Sequence, residues 1–220
     1  MINLRAEDAN YRYYIQLYDH VAGAVDLRDL KVLEVGSGRG GGADYIKRYL
    51  KPKIMVGLDF SENAVRFCNE KYNVEGLSFE GGNAESLPFI DNSFDVVLNV
   101  ESSHCYSSMN AFLAQVKRVL REGGYFLMAD FRRKEALEGL RESFNESGLT
   151  LIKETDITQN ILEAMELDDE RKTALIKKSI HRSLVGFFLQ FAGTSGSLIH
   201  ERFISGETIY LSYVLQKGTA

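Results

Sequence analysis

The sequence predicts an α/β chain built on a mainly parallel sheet. Three observations carry this. Short apolar runs recur from residue 31 onward, segments with apolar residues three and four apart separate them, and a glycine-rich turn directly follows the first run.

Taken in order, residues 8–25 read as an N-terminal helix and residues 31–35 as the first strand. The helical spacing of residues 43–50 follows, then a strand at 54–59, a helix at 64–72 and a strand at 77–81. Residues 94–100 form the fourth strand candidate and residues 109–120 a helix that stops before Gly123-Gly124, where glycine can adopt a left-handed cap. A strand at 124–130, a helix at 134–147 and a strand at 149–157 complete the regular alternation. About fifty residues then precede the last strand candidate, 208–216, too long a gap for a plain loop. It reads as helices at 159–165, 170–179 and 184–191, the last ending at Gly193. Seven strands are therefore expected, the last antiparallel, in a single domain of 220 residues. Within it, residues 1–29 form a helical cap, 30–157 the core, 158–206 an α-helical lid over the strand ends and 207–220 the last strand.

The formal net charge of −5 leaves no basic surface of the kind that tracks phosphate backbones, so no nucleic-acid partner is expected. Cys68 and Cys105 do not make a metal-ligand pair by spacing and point to a reducing, cytoplasmic compartment without a disulfide framework; no metal is expected. No apolar run approaches the ~18 residues needed to span a bilayer, and Arg5, Glu7 and Asp8 stand near the start, so neither secretion nor membrane insertion is expected.

The turn Glu34-Val35-Gly36-Ser37-Gly38-Arg39-Gly40 lies between a strand and a helix, where backbone amides can approach a ligand closely. By itself it is ambiguous. Gly36, Gly38 and Gly41 also satisfy G-x-G-x-x-G, and Asp59 lies about twenty residues on, where a ribose-binding carboxylate of a nicotinamide enzyme belongs. Gly41 and Gly42 are also candidates for close helix packing. Three further features favour another cofactor: acidic Glu34 two residues before the first glycine, Gly82-Asn83-Ala84-Glu85-Ser86-Leu87-Pro88-Phe89 after the third strand, and Phe94-Asp95-Val96-Val97-Leu98-Asn99-Val100 followed by Leu120-Arg121-Glu122-Gly123-Gly124-Tyr125. Over residues 30 to 131, in order and spacing, these resemble the successive motifs of class I S-adenosylmethionine-dependent methyltransferases, which implies a Rossmann-like sheet and S-adenosyl-L-homocysteine as product.

Carried onto this chain, the resemblance puts the methionine moiety beside Glu34, Gly36, Ser37, Gly38 and Gly40, with Asp59 accepting from the ribose hydroxyls. It stacks Phe60 on adenine, whose polar edge meets Asn83 and Ala84, and gives the methionine ammonium the carbonyl of Asn99. Asn83 departs from the commoner Gly-Asp-Ala, although an amide oxygen still accepts from an exocyclic amine. Phe60 also admits a plain core reading. Asp59 does not, because an unpaired charge ending an apolar strand is costly.

An alcohol acceptor must lose its proton, and imidazole is the natural base. His104, four residues beyond the fourth strand in Asn99-Val100-Glu101-Ser102-Ser103-His104-Cys105-Tyr106, is the first choice and His20 the second; His181 and His200 read as exposed or packing residues. A carboxylate should orient the base. Glu101 and Glu207 are the leading candidates and Asp130 the third. Residues 98–106 with Gly124-Tyr125-Phe126-Leu127-Met128-Ala129-Asp130 further resemble the mycobacterial phthiotriol and phenolphthiotriol dimycocerosate methyltransferases and the O-methyltransferase domains of polyketide synthases. That implies O-methylation of a hydrophobic polyketide- or lipid-type acceptor, a small molecule or an acyl chain on a carrier protein. The apolar segment 184–191 suits such a substrate or simply packs the lid. The alternatives are N- or C-methylation, a nicotinamide oxidoreductase, and a non-catalytic S-adenosylmethionine-binding module.

Overall fold

Parallel strands buried on both faces need near-continuous apolar runs, and the chain supplies them in its first half. The computed structural model describes residues 2–219. Its strands are β1 (Lys31–Val35), β2 (Ile54–Asp59), β3 (Leu77–Gly81), β4 (Phe94–Val100), β5 (Leu120–Arg133), β6 (Leu149–Asp156) and β7 (Thr208–Lys217). They form one sheet in the order β3-β2-β1-β4-β5-β7-β6. β3 to β2, β2 to β1, β1 to β4 and β4 to β5 pair in parallel, and antiparallel pairing is confined to the last strands. This is the Rossmann-like architecture expected. Leu33 lies opposite Val56 on one side and Val97 on the other, all three buried. Because the order runs outward from β1 through β2 and from β4 through β5, the crevice between β1 and β4 is the switch point where open α/β sheets bind ligands.

The helices are α1 (Arg12–Ala22), α2 (Gly41–Tyr45), α3 (Glu62–Lys71), α4 (Met109–Val119), α5 (Leu137–Ser147), α6 (Thr158–Ser179), α7 (Val185–Phe191) and α8 (Leu198–Ile204). The N-terminal segment begins as a 3-10 turn, Ala6–Tyr11, before α1. There Asp8 receives both Arg48 guanidinium nitrogens, at 2.8 and 2.9 Å, and the Tyr49 hydroxyl at 2.6 Å. The Arg48 hydrogen bonds, opposed by burial, hold its carboxyl below the usual range. α2 continues into a π-helical turn, Ile46–Leu50. Ser61 caps α3 by accepting from the Ala64 N–H at 3.3 Å.

Three local expectations change. α4 ends at Val119 with Leu120 already extended, so Gly123 caps no helix; its φ of +72° lies inside β5, where the register slips between Phe94 and Val96. β5 therefore starts four residues before the position expected. The two helices expected at 159–165 and 170–179 are one, because no Gly or Pro interrupts them and buried Asp168 is held by Arg171 at 2.6 and 2.7 Å. α8 is additional, opened by the Ser197 hydroxyl accepting from the His200 N–H at 3.4 Å.

The chain forms two compact units. The first runs to Asp130 and adds Glu138–Thr155 and the segment from Ser212 on; the second comprises Phe131–Leu137 and Asp156–Leu211. Among the described residues no helix is long and apolar enough to cross a membrane.

Candidate active site

The C-terminal ends of β1 to β4 and the part of β5 up to Asp130 gather most of the predicted site residues in the first unit. Gly36, Gly38 and Gly40 take φ of +79°, +52° and +74°, a region that favours glycine. The Gly36 and Ser37 N–H groups both donate to the Leu58 carbonyl, at 2.8 and 3.0 Å, which ties the turn to β2. Asp59, ending β2, accepts from the Gly38 N–H at 2.7 Å through Oδ2 and from the Ser61 N–H at 2.9 Å through Oδ1. A Cβ on Gly36 would fall 1.9 Å from the Ser102 hydroxyl oxygen, and one on Gly40 would fall 2.7 Å from the Phe79 ring. The packing role considered for Gly41 and Gly42 belongs to Gly42, whose Cβ would lie 2.0 Å from the Tyr18 ring; at Gly41 the nearest group is 4.0 Å away.

Around this turn three buried oxygens, Glu34 Oε2, Ser37 Oγ and Asn99 Oδ1, have no hydrogen-bond partner among the described residues. Unsatisfied polar atoms are costly, so three together mark a place prepared for a polar ligand. Glu34 is fully buried, and its other oxygen accepts from the Tyr18 hydroxyl at 2.7 Å. Burial pushes its carboxyl up to about 7, against the opposing pull of the Tyr18 hydrogen bond. The Tyr18 phenol is raised well above its ordinary value, first by burial and then by Glu34. The Asn99 amide nitrogen donates to the Val35 carbonyl at 2.8 Å and to the Tyr106 hydroxyl at 2.9 Å. That hydroxyl lies 2.7 Å from the Ser102 hydroxyl, and burial pushes the Tyr106 phenol up to about 12.

Phe60 is 81 % exposed, which removes the core reading considered for it. Ala84 is buried and Asn83 exposed. The Asn83 side-chain oxygen already accepts from the Glu85 N–H at 2.9 Å, so one of its two lone pairs is used locally.

Beyond β4 the chain turns sharply. Glu101 takes φ +51°, a left-handed conformation uncommon for a residue with a side chain, and its N–H donates to the Ala129 carbonyl at 2.9 Å. A 3-10 turn, Ser103–Cys105, follows. It sets His104 Nδ1 2.8 Å from Asp130 Oδ1, while the His104 N–H and the Ser103 hydroxyl donate to Asp130 Oδ2 at 3.0 and 2.7 Å. The Asp130 carboxylate is fully enclosed and the His104 side chain is 28 % exposed. An ionised carboxylate can only accept, so Nδ1 carries the proton and Nε2 the ring's basic lone pair.

The carboxylate set against His104 is thus Asp130, third in the sequence ranking. Glu207, in the second unit, lies 3.2 Å from Arg202 and 4.0 Å from Arg133, an ion pair with half-exposed partners. His20 Nε2 lies 2.9 Å from the Ser212 hydroxyl on β7, and burial pulls its pKa down. His181 is exposed and caps a turn through Ser183; His200 is buried and accepts from the Gly196 N–H at 3.3 Å. Tyr18, Ser102, Ser103 and Tyr106 were missed. Ser102, Ser103 and Tyr106 stand in the segment that carries His104, but Tyr18 offered only its place on a helical stripe. Among the described residues no group of three or more His, Cys, Asp or Glu is arranged to hold a metal ion.

Comparison with known proteins gives this geometry a context. The family described as Methyltransferase domain matches residues 33–128. The chain is 37 % identical over 214 residues to a phthiotriol/phenolphthiotriol dimycocerosates methyltransferase of Mycobacterium tuberculosis, covering 97 % of this chain and 79 % of the relative. It is 41 % identical over 165 residues to a fatty-acid O-methyltransferase of Mycolicibacterium smegmatis, covering 75 % of this chain and 60 % of that protein. In fold it is similar to Haemonchus contortus phosphoethanolamine N-methyltransferase 2 in complex with S-adenosyl-L-methionine, with a TM-score of 0.79 at 16 % identity over 98 % of this chain and 59 % of that one.

Proposed function

Because this chain belongs to the S-adenosylmethionine-dependent methyltransferases, we propose that it methylates a hydroxyl oxygen of a hydrophobic lipid- or polyketide-type acceptor, with His104 as general base. The observation that carries the reading is the 2.8 Å contact between His104 Nδ1 and the enclosed Asp130 carboxylate.

S-adenosylmethionine, when bound, supplies an electrophilic methyl on a sulfonium. Glu34, Ser37 and Asn99 would hold its methionine end with the Gly36, Gly38 and Gly40 backbone; their unpartnered oxygens suit a cationic, hydrogen-bond-donating group. Asp59 has lone pairs left for ribose hydroxyls, Phe60 offers an open ring face for adenine, and Asn83 and Ala84 would meet the adenine edge. His104 Nε2 takes the acceptor's hydroxyl proton, and Asp130 fixes the tautomer and stabilises the imidazolium that forms. Asp130 replaces Glu101 and Glu207 in that role.

The fatty-acid O-methyltransferase relative favours a second reading, in which the acceptor is a carboxylate. Such an acceptor is already ionised near neutral pH, so no proton needs removing and His104 has no work to do as a base. Turnover of labelled cofactor with long-chain alcohols, hydroxy lipids and fatty acids, free and on a carrier protein, separates the two. For an alcohol, His104→Ala should lower kcat by about 10²- to 10⁴-fold with S-adenosylhomocysteine binding intact. For a carboxylate the loss should be far smaller. Unchanged methylation of an alcohol by the variant would sink the base assignment, and faster transfer to amines or carbon would move the reading to N- or C-methylation.

A further inference from the structure

Residues 171–200 contain Arg171, Lys172, Lys177, Lys178 and Arg182 and no Asp or Glu, in a chain of net charge −5. Setting those five cations aside leaves the rest of the chain at −10; Arg171 pairs with Asp168 at the end of an acidic run on α6, so the positive stretch of the second unit begins after it. Apolar side chains stand among them. Leu167 and Leu175, two turns apart on α6, are 68 % and 54 % exposed, and Lys178 continues the same helical face. Past the helix end, Leu184 and Phe187 are 50 % and 67 % exposed, next to exposed Arg182. Scattered exposed leucines need no explanation, but a run of them rimmed by cations marks an interaction surface.

We propose that this surface docks on an anionic lipid bilayer, with Lys177, Lys178 and Arg182 against the headgroups and Leu184 and Phe187 entering the acyl boundary. Composition separates this occupant from an acidic protein. Protein interfaces favour arginine and are depleted in lysine, whereas three of the five cations here are lysines, whose long stems let the charge reach water while the methylenes cover apolar surface. Docking would give the enzyme access to an acceptor dissolved in lipid. It stands apart from the assignment of the methylated atom, because vesicle binding needs no turnover.

The test is co-sedimentation of the full chain with vesicles of phosphatidylcholine alone and of phosphatidylcholine mixed with phosphatidylglycerol. Binding is expected only to the mixed vesicles and should weaken with added salt. A Lys177→Gln, Lys178→Gln, Arg182→Gln variant should lose roughly a hundredfold in partitioning, at about 1 kcal/mol per cation. Phe187→Ser should lose about tenfold. Circular dichroism and S-adenosylhomocysteine affinity, unchanged in both, establish that the variants are folded. Equal partitioning onto the two vesicle types, no sedimentation with either, or a triple variant that binds like the parent would overturn the proposal. So would binding to an acidic acyl carrier protein, lost in the same triple variant, with no affinity for vesicles.

Discussion

Replacing Glu34 with glutamine isolates the energetic effect of one carboxylate buried beneath the glycine turn. Burial raises its pKa from 4.5 to about 7, worth ~3 kcal/mol of differential stability. The sign follows from which state binds the proton more tightly. Below about pH 4.5 the carboxyl is protonated in both folded and unfolded chains, and its contribution is fully present. Between about 4.5 and 7 the unfolded chain ionises while the folded one keeps its proton, so stability falls as pH rises. Above about 7 the whole ~3 kcal/mol is lost. Glutamine does not titrate. Its amide can still accept from Tyr18, but its NH₂ adds a pH-independent penalty of about 1–3 kcal/mol if it finds no acceptor. The slope with pH, and not the absolute difference, is therefore the measure. The chain has no tryptophan, so urea unfolding of the cofactor-free protein is best followed by circular dichroism, between about pH 5 and pH 8. Glu34→Gln should gain up to about 3 kcal/mol on the parent across that window. Parallel curves for the two proteins would refute the argument that Glu34 is held protonated by burial.

Two further predictions rest on the same site. Asp130→Asn should lower kcat on an alcohol acceptor by about 10²- to 10⁴-fold, because a neutral amide neither fixes the His104 tautomer nor stabilises the imidazolium. S-adenosylhomocysteine affinity should stay intact; unaltered kcat would leave Asp130 a purely structural role. Gly40→Ala should destabilise the fold by about 2–4 kcal/mol, combining left-handed strain with a Cβ driven into buried Phe79. Gly41→Ala, one residue on and open to 4.0 Å, should be nearly neutral in the same denaturation assay.

Much of the first unit was legible because its strands are short apolar runs bracketed by glycine or a terminal acid. β1, β2, β3 and β4 coincide with residues 31–35, 54–59, 77–81 and 94–100 as read from the sequence. The glycine turn and Asp59 were legible too, since their chemistry is local: backbone amides and a carboxylate at the end of neighbouring strands. Gly123 misled, because a left-handed glycine serves a bulge as well as it serves a helix cap. The joined α6 and the additional α8 were hidden by weak periodicity in a polar segment, where tertiary packing decides helix length.

The sequence by itself determined the fold class, the glycine turn between β1 and α2, and His104 as the histidine beyond β4. Only the tertiary structure decided which carboxylate stands behind that histidine. Glu101 is nearer in the chain, yet it occupies a left-handed position where the strand turns away. Asp130, 26 residues on, reaches His104 because β4 and β5 run parallel in a register that pairs Val100 with Ala129 and brings the two strand ends together. Register is fixed by the packing of whole strands against their neighbours, and no interval in the sequence records it.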